Sequence, residues 1–250
     1  MSTSEPVAET RIAPRPPRRL QRAAFRCLAA VLLAWLFAAY LLLPLFWRRY
    51  EHRHPALDGT SWIARTGTGI PGDPMNIALV GSEKDIQSAM LSAKWFPADR
   101  ITLASSLRIA AGTVFHRPYD DAPVSSLFFF GRKQDLAFEQ PIGLDPRRRH
   151  HVRFWRCEKL DEAGRPLWIG AATLDNCVGL SHTTGQVTHH IAAAIDPERD
   201  KILDDIRAAG DLQDVYWVDD FQAPPQGKNG GGDRWHTDGR LAVGVLKAQQ

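Results

Sequence analysis

The chain has 250 residues, a net charge of +3, 24% charged residues and only three cysteines. The positive balance is local: residues 1–54 carry nine arginines against three glutamates, which leaves 22 basic and 25 acidic groups for the remainder. A mildly acidic body without clustered cations argues against nucleic acid as a partner, and so few cysteines exclude a disulfide scaffold.

Residues 1–26 mix arginine with Pro6, Pro14, Pro16 and Pro17 and hold too little apolar material for a core, so they read as a disordered basic tail. Residues 27–46 then run twenty positions without a charge. At about 1.5 Å per residue such a helix is ~30 Å long, the thickness of a bilayer's hydrocarbon core. Six arginines precede the run and three follow it, which predicts a single-pass helix with its N-terminal side cytoplasmic and the domain periplasmic, at the inner membrane. The run is too long for a cleaved signal peptide and leaves through Leu45, Phe46 and Trp47 without a small-residue cleavage site, so it reads as a retained signal-anchor. Ala30, Ala34 and Ala38 recur every fourth residue, a spacing through which two such helices pack as a homodimer. Residues 47–73, rich in Gly, Pro and charge, read as a linker that lets the domain stand off the bilayer.

A globular domain follows over 74–250. Residues 76–80 are a short apolar strand, and Ser82 with Asp85 three positions on is a capping-box start for a helix that stops before Pro97. A second helix is expected over 102–113. The period then changes: 124–130 and 135–140 form one predicted hairpin, and 150–158 and 166–175, turning through 161–164, a second. Asp196-Pro197 opens a third helix that ends at Gly210, and strands are expected over 215–221 and 240–247 with a flexible Gly-rich loop between them. Grouped helices and hairpins, rather than alternating βαβ units, give an α+β fold on a mainly antiparallel sheet with about three helices. Six tryptophans beyond residue 50 supply large bodies for one core.

Several blocks in this order carry a family likeness: residues 76–99 (NIALVGSEKDIQSAMLSAKWFPAD), 130–141 (FGRKQDLAFEQP), 148–156, 164–175 (GRPLWIGAATLD), 178–191 (VGLSHTTGQVTHHI) and 229–243 (NGGGDRWHTDGRLAV). Together they resemble the C-terminal domain of the LssY family of bacterial membrane-associated proteins. That resemblance implies a bacterial envelope protein, the domain often being appended to multi-span modules that resemble DedA proteins and phosphatidic-acid phosphatases. This chain departs from that arrangement. It has one apolar span and no Pro-Ser-Gly-His signature, so lipid-phosphate hydrolysis by the phosphatase mechanism is not implied, and the resemblance carries over no catalytic residues.

Candidate chemistry rests on histidines. His150, His151, His182, His189 and His190 are five of the nine in the chain and fall within 41 residues. If the second hairpin turns midway between Asp161 and Gly164, His150 lies across from Asp175, and a carboxylate beside an imidazole is how a histidine tautomer is fixed for base work or metal ligation. The same register keeps Cys157 and Cys177 too far apart to bridge. The candidate catalytic group is therefore His150, Asp175, His182 and His189, and the candidate ligands for a divalent metal such as Zn, Ni or Fe are His150, His182 and His189. The spacing matches no named metal motif, and hydrogen-bonded structural histidines are the competing reading. Arg147, Arg148 and Arg149, the only basic run of the domain, and Arg132 at a hairpin tip are candidate contacts for a phosphate or anionic headgroup, against the alternative of solvated turns. The leading expectation is a membrane-anchored domain that binds an envelope partner or a small ligand, and the alternative is a metal- or histidine-dependent hydrolase near the membrane.

Overall fold

The computed structural model describes residues 18–46, 62–67, 69–98, 126–143 and 148–248. The tail before residue 18, the segment 47–61 and the helix expected over 102–113 lie outside them.

Helix α1 (Arg18–Phe37) continues into a π-turn, Ala38–Leu42. The amide of Leu43 bonds Ala38 O, five residues back, and Pro44 one position on has no N–H to offer the ladder, a common origin of such a widened turn. Residues Gln21–Phe46 are long and apolar enough to cross a membrane. Most of that surface is exposed, but one strip is covered: Ala39 is buried, and Trp35 Nε1 donates to Gly185 O at 3.2 Å. Helix α1 thus touches the turn at Gly185.

The domain is built in three layers. Its long sheet has the order β11-β14-β3-β9-β8-β7-β4, with β10 added against β9, and all pairs are antiparallel except β14–β3. The strands are β3 (Ile77–Val80), β4 (Phe96–Pro97), β7 (Leu136–Pro141), β8 (Arg149–Leu160), β9 (Pro166–Leu180), β10 (Val187–Ile191), β11 (Leu212–Val218) and β14 (Leu241–Leu246). Helices α2 (Glu83–Ser92) and α3 (Asp196–Ala209) cover one face. Ile86, Met90, Ile202, Leu203 and Ile206, spaced to share helix faces, pack there on Leu79, Phe138, Phe154 and Trp168. A small sheet, β2-β1-β5-β6, made of β1 (Ile63–Thr66), β2 (Pro71–Pro74), β5 (Leu127–Phe129) and β6 (Arg132–Lys133), covers the other face through Ala64, Met75, Leu127, Trp155, Ile169 and Val243.

This is the expected α+β fold, and strands β3, β7, β8 and β14, the capping box of α2 and the ends of α3 fall where the sequence puts them. Ser82 Oγ accepts from Asp85 N, and Asp85 returns a bond from the Ser82 amide. Three expectations are corrected. Residues 62–67 and 69–73 are not linker, because β1 pairs with both β2 and β5. The first predicted hairpin is divided: β5 turns through Phe130-Gly131, both at positive φ, into the short β6, while β7 leaves for the long sheet. Third, the Gly-rich loop is the tip of a hairpin between β12 (Gln226–Lys228) and β13 (Arg234–His236), packed onto β2 by the Gly230 amide on Pro71 O at 2.5 Å. A side chain at residue 230 would collide with Ile70, a Cβ there lying 1.9 Å from Cγ2. Cys157 and Cys177 are unpaired, as the hairpin register predicted, and Cys27 is unpaired as well.

Candidate functional site

Between the two sheets lies a cavity of about 230 Å³, walled by β2, β8, β9, β10, the 181–186 turn and the β12–β13 loop. Strand alternation decides what points into it. On β8, Trp155 faces the small sheet, and so do Arg153, His151 and Arg149, two residues apart; on β9, Thr173 and Asp175 share that face. Asp73 enters from β2 and His189 from β10. Asp73, Glu139, Arg149, His151, Arg153, Thr173 and Asp175 are all buried.

The contacts form one network. Arg153 Nη1 donates to Asp73 Oδ2 at 2.7 Å and to His151 Nε2 at 2.8 Å, and Thr173 Oγ1 lies 2.7 Å from the same nitrogen. A guanidinium can only donate, so Nε2 accepts and the imidazole proton belongs on Nδ1, which faces Asp175 Oδ2 at 3.2 Å. His189 Nδ1 approaches the same oxygen at 3.8 Å, and Arg149 Nη1 bonds Glu139 Oε2 at 2.9 Å.

Burial acts on Asp73, His151, Asp175 and His189, and its balance with neighbouring charge sets the direction of each. Burial raises the Asp175 carboxyl, but the imidazoles of His151 and His189 and the Arg149 guanidinium overcome it and hold the group well below the usual carboxylate range. Asp73 is likewise raised by burial and brought below its ordinary value by His151 and Arg153. Burial lowers His151, and the Asp175 carboxylate reverses that to leave it above its ordinary value. His189 goes the other way. Burial lowers it, Asp175 offsets only part, and the cations Arg149 and Arg153 reinforce the fall, so a neutral imidazole is favoured. Its Nε2 is buried without a hydrogen-bond partner, and both Asp175 oxygens lack one of good geometry. The cavity therefore presents a carboxylate able to accept and a neutral imidazole nitrogen able to accept a proton or join a ligand.

Of the expected catalytic group, Asp175 and His189 meet here. His150 does not: the observed register pairs it with Leu174 and Arg149 with Asp175. The turn closes on Leu160 opposite Pro166, so it holds five residues rather than an even number and changes which β8 residues share a face with Asp175; the irregularity at Cys157–Lys159, opposite Leu167, then slides the ladder by two without changing faces, and His150 points to the helical side. There its Nδ1 meets Glu198 Oε2 at 2.6 Å beside the Trp95 ring. His182 is exposed, next to His190, so His150, His182 and His189 do not converge as one ligand set. Arg132 pairs with Asp135, Arg149 is a buried part of the network, Arg148 is exposed, and Arg147 lies outside the described residues. Asp73, His151 and Arg153 were not among the expected site residues. The alternation Arg149-x-His151-x-Arg153 was the signal for two of them.

Among known proteins, the family model described as LssY C-terminus matches residues 54–241. No curated protein and no solved structure matches the chain.

Proposed function

The chain belongs to the LssY C-terminus family, and from that premise we propose that it is a membrane-anchored binding protein of the bacterial envelope whose domain holds a small polar molecule between its two sheets. One observation carries this reading: five ionisable side chains, Asp73, His151, Arg153, Asp175 and His189, converge on a cavity of about 230 Å³, leaving Asp175 and His189 Nε2 with unmet hydrogen-bonding capacity. Burying such groups is costly, so a network that leaves acceptors unmet at a cavity wall suits a ligand bearing N–H or O–H donors. The volume is below the ~300–1,000 Å³ of drug-sized pockets, which favours a small metabolite.

The anchor supplies the location. Residues 21–46 cross the inner membrane with the arginine-rich side cytoplasmic and the domain periplasmic. A reporter fused after Gln250 should be active only outside the cytoplasm, and activity confined to the cytosol refutes the orientation.

Binding is tested on full-length protein in detergent by thermal unfolding against a panel of small amines, amides and polyols. A ligand of the site raises the midpoint of the wild type and not of Asp175→Asn or His189→Gln. If no compound shifts the wild type, or the variants shift equally, the reading fails. A second reading, hydrolysis with His189 as general base, draws on the same neutral imidazole beside Asp175. It predicts that His189→Gln abolishes turnover of a chromogenic ester while binding of an unreactive analogue survives.

A further inference from the structure

His182, His190 and Asp233 form a second convergence, separate from the cavity network: one ligand-capable atom from each lies within 4.8 Å of the other two. We propose that these three side chains bind a divalent first-row transition metal ion, with zinc as the best-fitting probe. Two imidazoles and one carboxylate are a donor set for zinc and for non-haem iron(II), and three protein ligands leave coordination positions open.

The three residues come from distant parts of the chain: the turn after β9, strand β10 and the β12–β13 loop. Local devices bring each into place. A register irregularity between His190 and Ile191 re-aims the end of β10. Asp233 is fixed from several sides: its amide bonds Asn229 Oδ1 at 2.9 Å, and its Oδ2 accepts from the amide of Ile191 at 3.3 Å and from Asn229 Nδ2 at 3.3 Å. Its Oδ1 lies 2.7 Å from His190 Nδ1, and the His182 amide bonds Gly231 O at 2.8 Å.

Two glycines make room. A Cβ on Gly179 would lie 2.8 Å from His190 Nε2, and one on Gly232, whose φ is +90°, would lie 2.8 Å from His182 Cβ. The two imidazole centroids are consequently 5.1 Å apart. The set carries one negative charge with neutral imidazoles, which suits a doubly charged cation. His182 and Gly232 also line a second cavity of about 570 Å³, with Trp62, Pro224 and Trp235 among its walls. Coordination positions open toward it would be reachable by a ligand with an apolar body.

The test is zinc titration of full-length protein in detergent, with a competing chromophoric chelator. Zinc binds divalent N/O sites more tightly than iron(II) or manganese, so it reports on the site whichever ion occupies it in the cell. One ion per chain is expected, with His182→Ala and His190→Ala weakening binding at least ~10-fold, the lower end of the loss seen even when an outer-shell partner is removed. His150→Ala, on the far side of the sheet, should bind as the wild type does. His182 is exposed, so its replacement leaves the fold intact and keeps the test decisive. Zinc uptake no greater than the detergent blank, or His182→Ala binding with wild-type affinity, overturns the proposal.

Discussion

Arg153 Nη1 lies 2.7 Å from Asp73 Oδ2, joining the middle of the long sheet to the edge strand of the small one across the cavity. Both side chains are nearly shut off from solvent, so the pair and its neighbours must neutralise one another. Removing one partner leaves a buried charge unmatched, which typically costs about 3–5 kcal/mol, whereas replacing both by apolar groups is often neutral. Arg153→Met should therefore destabilise by that amount, and Arg153→Met with Asp73→Leu should recover most of it. Chemical unfolding followed by tryptophan fluorescence reads both. A double variant no more stable than the single one would show that the pair does not join the sheets energetically.

His189 gives the site a pH signature. Its folded-state value is lowered by burial and by the nearby cations, while the unfolded imidazole titrates near its ordinary 6.5. Below about pH 6.5 the unfolded chain takes up a proton that the folded chain refuses, so stability falls as pH drops toward the folded value. His151, shifted upward, exerts its pH dependence above that window, and Asp175, shifted downward, exerts its own only near pH 4 and below. Between pH 6.5 and 5 the unfolding midpoint of the wild type should consequently fall more steeply than that of His189→Gln. Parallel curves would mean that His189 is not held neutral.

The parts of this fold that were legible in the sequence are those set by local chemistry. The capping box at Ser82, the Pro-first, Gly-last limits of α3 and the long β8–β9 hairpin need only neighbours in the chain. β1 and β2 were not legible. Pro71, Gly72 and Pro74 are turn residues by composition, and they become a strand only because β2 lies at the edge of a sheet where proline is tolerated. The site was half legible for a related reason. Asp175 and His189 stand out as residue types, but choosing between His150 and His151 needs the register, and one residue more in the turn, which closes on Leu160 opposite Pro166, reverses which of them faces the cavity. Asp73 belongs to a strand the sequence conceals, so nothing local could have paired it with Arg153.

The Ser82 cap is open to direct measurement. Its hydroxyl accepts from the Asp85 amide at 3.2 Å, and the Asp85 carboxylate accepts from the Ser82 amide at 2.8 Å. Ser82→Ala removes one half of the box and should cost about 1 kcal/mol. For a domain of this size that is a fall of roughly 2–4 °C in the unfolding midpoint. Ser82→Thr, which keeps the hydroxyl that also donates to Asp85 Oδ2 at 2.7 Å, should lose less. If alanine and threonine lower the midpoint equally, the hydroxyl is not acting as a cap.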